Sequence, residues 1–559
     1  MTYLMNIIQG LLEQAVQSYA QGELAVSEAR CKSVLQMAPA AADALNLLGL
    51  IAGDRGQDEA AERFFRDAQR ADPEHPGPWI NLGMLLRRKS RLEEALACYD
   101  NAIRLHASLA SVHFNRANLL EQMQRLEEAE AAYLRAIELE PGDVAAYNNC
   151  GALLWKNKRF EDSLPFFERA LALEPGNAEA WLNKGSSLKD LGRIDEALAA
   201  FAEARRLRPA FSEASFNLAC SLHAMGKVDE ALAAYAEARN DPAGFAEATW
   251  NEALCRLLKG DYAEGWRLYE SRWLSRRFPP PRQFPQPLWA GEADLAGKTI
   301  LLHAEQGFGD AIQFVRYAPL VAERGARVIL AAHPELIPLF ESVEGAAAVL
   351  NDKETLPAFD LHCPLMSLPR AFRTELDTIP ARASYLAVTP PRRTAWQARL
   401  QDLPAGLRIG LAWAGNPANV EDAKRSMPLA ALEPLLRACQ ASGSTIVSLQ
   451  KALTEDDRER LEAFGGRDFA ADRHDFLDTA ALVEQLDLVI SVDSAAAHLA
   501  GALGKPVWIA LCTTADWRWL QERSDSPWYP SARLFRQTQA GDWSGVVAQL
   551  VAALADFRP

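Results

Sequence analysis

Prolines stand at positions 39, 73, 141, 175 and 209, separated by 34 residues or by twice 34, and Ala107 fills the one missing place. A fixed period of this length constrains a chain strongly, because each copy must make the same local unit and pack it on the next. The same residue types return within each period. The stretch "WINLGMLLRRKSRLEEALACYDNAIRL" carries Trp79, Leu82, Gly83, Ala95, Tyr99 and Ala102. The stretch "WLNKGSSLKDLGRIDEALAAFAEARRLRP" carries Trp181, Gly185, Ala197, Phe201, Ala204 and Pro209. Apolar spacing is helical on both sides of a polar turn. Small residues let the two helices approach, an aromatic fills the space between them, and proline ends the second helix.

This register, held through six or seven copies, resembles the tetratricopeptide repeat. The resemblance implies an N-terminal all-α right-handed superhelix over residues 1–275, with a concave inner face and a divergent last unit at Ala246–Trp273. Asn81, Asn115, Asn149, Asn183, Asn217 and Asn251 lie 34 apart without a gap, and stacking brings such residues into a row. A carboxamide both donates and accepts, so a row of them can hold an extended polypeptide by its main chain. The row is similar to the asparagine ladder of O-linked N-acetylglucosamine transferases, which grip protein substrates with it. The plainer reading is local helix–helix hydrogen bonding at this repeat position. Both stay open here.

Residues 276–297, within "SRRFPPPRQFPQPLWAGEADLAG", lose the helical period and gain prolines. They read as a stiff linker that packs along the next domain through Phe278, Phe284 and Trp289. From 298 onward β-rich runs alternate with helical segments. "KTILLH", "RVILAA" and "FDLHC" fall in 298–390, with helices at about 310–324 and 334–342; "RIGLAWAG", "TIVSLQ", "LDLVISV" and "PVWIAL" fall in 391–559. Such alternation implies two Rossmann-like lobes with parallel sheets, and ligands in these folds sit beyond the carboxyl ends of the strands.

Three of the loops there carry chemistry. In "HAEQGFGDAIQFVR", residues 303–316, a strand runs into Gly307, Gly309 and then Asp310 at a helix start. Asp310 with Gln313 is close to a capping box, and a capping carboxylate at a helix N-terminus has its pKa lowered. In "GLAWAGNPANVEDAKRSMPLAAL", residues 410–432, Gly415 and Asn416 precede Lys424, Arg425 and Ser426, ahead of a helix expected from about Pro428. Cations and a hydroxyl beside a helix N-terminus suit a phosphate, although the same pattern also makes a solvated helix start. In "VISVDSAAAHLAGALGKPVWIAL", residues 489–511, Asp493 and Ser494 end a strand, Ser494 reads as an N-cap, and His498 follows on the helix. A buried, hydrogen-bonded histidine explains His498 equally well. The tryptophan-rich stretch 514–537 reads as a loop that stacks on a base or sugar or closes the lobe.

In this order the motifs resemble those of lipopolysaccharide heptosyltransferases, which have the GT-B fold. A closer likeness is to bacterial chains that join tetratricopeptide repeats to such a domain, flagellin glycosyltransferases among them. The resemblance implies that Asp310 is the base that activates the acceptor hydroxyl. It implies too that Lys424 contacts donor phosphate and that Asp493, Ser494 and His498 line the nucleotide-sugar site, with Gly309, Asn416, Arg425 and Ser426 beside them. Ala495 departs from the glycine usual after the D-S/T pair, which puts the heptose donor in question.

A net charge of −15 argues against nucleic acid as a partner. The eight scattered cysteines read as reduced thiols, and the N-terminus has neither a signal peptide nor a membrane span, so a cytoplasmic location is expected. "EDD" at 455–457 falls in a helix and "DRHD" at 472–475 in a turn, so no metal–diphosphate motif is seen and no cofactor is expected beyond the nucleotide-sugar substrate. The expected activity is metal-independent, inverting transfer of a sugar to Ser or Thr of a protein such as flagellin. A glycan acceptor, as in surface polysaccharide or lipopolysaccharide assembly, and a non-catalytic adaptor are the competing readings. The sugar, the nucleotide and the oligomeric state, a homo-oligomer included, stay open.

Overall fold

A computed structural model describes residues 2–239, 246–275, 278–418 and 422–558. Positions 276–277 of the linker and 419–421 of the Lys-Arg loop lie outside the described residues. The chain divides into two compact units, residues 1–221 and 222–559, and the division falls inside the repeats.

The first unit is an all-helical tetratricopeptide superhelix. Helices pair in sequence: Ala42–Asp54 with Asp58–Ala71, Pro76–Arg88 with Leu92–Leu105, Ala110–Gln122 with Leu126–Leu139, Val144–Lys156 with Phe160–Leu173, and Ala178–Asp190 with Ile194–Leu207. The reason for the recurring glycine is steric. A Cβ built on Gly83 would lie 2.7 Å from the Tyr99 ring, on Gly151 2.7 Å from Phe167, and on Gly185 2.6 Å from Phe201. These rings are fully buried, and each contributes about 1.5–3 kcal/mol by leaving water. The turn inside each pair needs a left-handed residue. Gly56, Gly192 and Gly226 take it at φ 72°, 77° and 76°, whereas Ser90, Gln124 and Lys158 take it at φ 58°, 59° and 59°. There the following N–H closes back on the helix, as from Arg159 to the Leu154 carbonyl at 2.9 Å, in the Schellman arrangement.

The second unit begins with the last repeat helices, Val228–Arg239, Ala246–Lys259 and Tyr262–Tyr269, followed by a 3-10 turn, Glu270–Leu274. Two parallel sheets follow. The first contains β1 (Thr299–His303), β2 (Arg327–Ala332), β3 (Ala346–Asn351) and β4 (Leu361–Pro364), in the order β3-β2-β1-β4. The second contains β5 (Arg408–Ala412), β6 (Thr445–Ser448), β7 (Arg467–Asp468), β8 (Leu488–Val492), β9 (Val507–Leu511) and β10 (Ala532–Arg536), in the order β10-β9-β8-β5-β6-β7. β8 and β9 are buried along their whole length, as sheet-centre strands covered on both faces must be. Strand order reverses between β1 and β4 in the first sheet and between β5 and β8 in the second, and such switch points leave crevices at the carboxyl ends of the strands.

β3, β7 and β10 are not expected from the sequence pattern. β3 is alanine-rich and mostly half-exposed at a sheet edge, and β7 has only two residues. The stretch expected as a loop at 514–537 instead holds a 3-10 turn, Trp517–Trp519, and β10, whose arginines disguise an edge strand. The proline-rich linker extends the first sheet. The His362 N–H donates to the Pro287 carbonyl at 3.2 Å and the Trp289 N–H to the His362 carbonyl at 2.8 Å, alongside β4. Phe284 packs on His303, Phe359 and His362, and Trp289 is buried against Phe372.

Two repeat substitutions should move stability in opposite directions. Gly185→Ala forces a methyl against Phe201 and should cost about 1–3 kcal/mol. Lys158→Gly relieves a left-handed lysine and should gain roughly 0.5–1 kcal/mol. Urea midpoints followed by far-ultraviolet circular dichroism check both.

Candidate active site

The loops after β1, β5 and β8 all lie at the two switch points. After β1 the chain turns at residues 304–307 and enters the helix Phe308–Phe314. Asp310 caps this helix from within its first turn. Its Oδ2 accepts the Gly307 N–H at 2.9 Å, so the capping partner is the glycine backbone and not Gln313. Its Oδ1 is paired with Arg518. Burial raises the Asp310 pKa against the pull of Arg518, which corrects the lowered value expected of a cap.

Arg518 comes from the 3-10 turn after β9 and is absent from the sequence reading. Its side chain is 8% exposed. Nη1 donates to Asp516 Oδ1 at 2.8 Å, Nε donates to Gln313 Oε1, and the guanidinium lies 4.5 Å from the Trp517 ring centroid. No local pattern marks this arginine, because its principal partner lies 208 residues away. An arginine between two tryptophans was the available signal.

After β5 the loop folds around Asp422, which is buried. Ser426 Oγ donates to Asp422 Oδ2 at 2.9 Å and accepts the Gly415 N–H at 2.9 Å; Arg425 Nε donates to Asp422 Oδ1 at 3.2 Å. Lys424 and Arg425 belong to a short helical turn, Asp422–Arg425, and the helix expected after Pro428 opens as a 3-10 turn, Leu429–Leu432, that runs on as Glu433–Ala441. The two cations also diverge. The charge of Arg425 is felt at Asp310, Asp493 and His498, whereas that of Lys424 is felt at His223 in the last repeats. Asn416 is exposed, and its Oδ1 accepts the Ala418 N–H at 3.1 Å.

After β8, Ser494 occupies the N-cap position of the helix Ala495–Ala502, but its hydroxyl makes no cap bond and meets Ser491 Oγ at 2.9 Å. Asp493 has its pKa pushed up to about 6 by burial and by the neighbouring Asp516. His498 is 5% exposed, with Nδ1 2.8 Å from the Tyr529 hydroxyl, Nε2 3.8 Å from Asp493 and its ring stacked on Trp519. Burial holds it neutral. The first helix turn of the other lobe passes directly above: a Cβ on Gly309 would lie 2.8 Å from His498 Cδ2. Gly309, Asp310, Asp493, His498, Arg425 and Arg518 therefore form one cluster, with Ser426 beside Arg425 on Asp422, whereas Lys424 is turned toward His223 and Asn416 is exposed.

The last repeat is wired into the same loops. Arg272, wholly buried, donates to Glu305 after β1 at 3.0 Å, to Glu270 at 2.8 Å and to Ser367 after β4 at 2.7 Å. Trp528 Nε1 donates to the Tyr262 hydroxyl at 3.0 Å, and Trp266 packs edge-on against Phe314 and Trp517.

In the first unit the asparagines of the row are half-buried on the first helices of their repeats. Asn81 Nδ2 donates to Asn46 Oδ1 at 2.9 Å, Asn149 to Asn118 at 3.2 Å and Asn183 to Asn148 at 3.0 Å, while Asn217 donates to the Glu213 carbonyl. Asn115 is half-buried too. Asn251, in the second unit, is buried. Among the described residues no group of three or more metal-ligating side chains is present, and no helix is long and apolar enough to cross a membrane.

Burial pushes the Glu305 pKa up to about 7 against the attraction of Arg272. The folded chain therefore binds this proton more tightly than the unfolded chain, and stability should fall as pH rises from the ordinary glutamate range through 7. Urea midpoints measured across that window should decline less steeply for Glu305→Gln than for the parent.

Residues 12–76 and, in overlapping matches, 80–280 fit the tetratricopeptide repeat family. Residues 452–540 fit Glycosyltransferase family 9 (heptosyltransferase), a span that takes in Asp493, Ser494, His498 and Arg518 and leaves Asp310 and the Lys-Arg loop outside. The chain is 31% identical over 325 residues to Protein FlbA of Caulobacter vibrioides, covering 54% of each, so it spans about half the length of that relative. It is 26% identical over 101 residues to human General transcription factor 3C polypeptide 3, covering 18% of this chain and 11% of the relative. Among solved structures, YrrB, described as a TPR protein with an unusual peptide-binding site, is 26% identical over 34% of this chain and 98% of its own, with a TM-score of 0.30. The chain thus joins tetratricopeptide repeats to a glycosyltransferase family 9 (heptosyltransferase) domain.

Proposed function

We propose that the chain is a cytoplasmic glycosyltransferase of the GT-B type that moves a sugar from a nucleotide-activated donor to a serine or threonine hydroxyl of a protein held by its repeats. The observation that carries this reading is the meeting of Asp310, Arg425, Asp493, His498 and Arg518 at the switch points of two parallel sheets, beside the family 9 match. Asp310 takes the hydroxyl proton as the new C–O bond forms, when that proton has become acidic; a carboxylate whose proton affinity is raised by burial suits this step. The sugar inverts because attack comes from the face opposite the leaving phosphate. Arg425, Lys424 and Ser494, with the N-terminus of the helix Ala495–Ala502, stabilise the departing nucleoside phosphate without a metal.

The half-buried carboxamides of Asn81, Asn115, Asn149, Asn183 and Asn217 hold the acceptor main chain through the hydrogen-bonding capacity left after bonds such as those to Asn46, Asn118 and Asn148. Flagellin is an acceptor of the fitting kind. The amide-to-amide bonds favour one second reading, in which the row only knits repeats together and the acceptor is a glycan.

Intact-mass measurement of candidate acceptor proteins, flagellin first, made with and without this chain separates the two: a hexose-, heptose- or nonulosonate-sized gain on the protein is expected. Asp310→Asn should bind donor and lose about 100-fold or more in kcat. Full activity in that variant would leave Asp310 a helix cap alone. Lys424→Ala should lose donor affinity at an unchanged folding midpoint, and unaltered affinity would remove its phosphate role.

A further inference from the structure

Arg518 is an unusual residue to find sealed in a protein interior: its fork is spent on Asp310, Asp516 and Gln313, and its flat face lies on Trp517. Around it the acids Asp310, Asp493 and Asp516 face the cations Arg518, Arg425 and Arg316, and Arg316 is held by the Tyr385 hydroxyl and two carbonyls. Arg425 is itself tied to Asp422 at 3.2 Å. A nucleoside diphosphate entering this spot gains one of these guanidiniums only if it changes partner. Arginine suits such a change, because its fork fits a phosphate edge as well as a carboxylate. Asp310, for its part, cannot serve as a base while Arg518 covers it.

We propose that Arg518 is a donor-phosphate ligand that exchanges Asp310 for the donor, so that binding the sugar nucleotide uncovers the base. This rests on the reading of Asp310 and the donor site given above. In the empty site Arg518 closes an ion pair over Asp310. When the diphosphate arrives, the guanidinium moves to its oxygens and the carboxylate is released. Asp310 then accepts the proton of the acceptor hydroxyl as the hydroxyl oxygen bonds to the anomeric carbon; the carbon–phosphate-oxygen bond breaks, and its electron pair leaves with the nucleoside phosphate. The exchange keeps the base masked until donor is in place, so donor and acceptor bind in a fixed order.

The coupling runs both ways, because the carboxylate and the phosphate compete for one guanidinium. Removing the competitor must therefore tighten phosphate binding. The test is calorimetry on the full chain with UDP, GDP, ADP and CMP. For whichever nucleotide the parent binds, Asp310→Asn should tighten binding by roughly three- to tenfold. Arg518→Gln should weaken it by about tenfold or more, and Arg518→Lys, which keeps the charge and loses the fork, should fall between. In the double variant Asp310→Asn, Arg518→Gln, the gain from Asp310→Asn should vanish. Unchanged or weaker binding by a folded Asp310→Asn variant overturns the exchange, as does a gain that survives in the double variant. If none of the four nucleotides binds the parent or Asp310→Asn, the donor-site reading falls and the exchange falls with it.

Discussion

Arg272, Arg316 and Arg518 carry their charges into the interior of residues 222–559, and the arrangement of the candidate site follows from how each is compensated there. A buried cation is tolerated only when its donors are filled and an opposite charge or a polarisable surface lies close. Arg272 finds Glu305, Glu270 and Ser367. Arg316 finds the Trp528 carbonyl at 2.7 Å, the Tyr385 hydroxyl at 2.9 Å and the Gln313 carbonyl at 2.8 Å, between the Tyr385 and Tyr529 rings. With Arg518 on Asp310, the three draw on groups from both lobes and the last repeat. Arg316 and Arg518 hold the helix Phe308–Phe314 directly and Arg272 holds Glu305 in the loop before it, which sets the position of Asp310.

The aromatic residues supply the packing half of that compensation. Tyr262, Trp266 and Tyr269 come from the last repeat, Phe314 from the first lobe, and Trp517 and Trp528 from the second. Most of these pairs, those of Trp266 with Tyr269, Phe314, Trp517 and Trp528 among them, meet edge to face, a geometry that ring quadrupoles prefer. The repeat array therefore does not stop short of the two sheets. Its final helices form one wall of the compact unit that holds both sheets, in agreement with a division at 221/222.

Much of the fold was legible, because repetition and alternation are properties of the chain itself. The 34-residue register predicts the helix pairs, and the loops singled out after "KTILLH", "RIGLAWAG" and "LDLVISV" follow β1, β5 and β8, the strands at the switch points. What stayed hidden depends on residues distant in sequence. Arg518 has meaning only beside Asp310, and Glu305 only beside Arg272. The capping box was located but given the wrong partner, since Gln313 is drawn to Arg518 instead. Its pKa shift was misjudged as well, because the burial that reverses the sign comes from packing that no local pattern encodes.

The left-handed turns at Ser90, Gln124 and Lys158 are consecutive, with glycine at the same place in the neighbours on either side, Gly56 and Gly192. In a solenoid, stability is nearly the sum of each unit and its contacts with adjacent units, so local strain is not shared across the whole. Three adjoining units with costlier turns make this stretch of the array the place where local opening costs least.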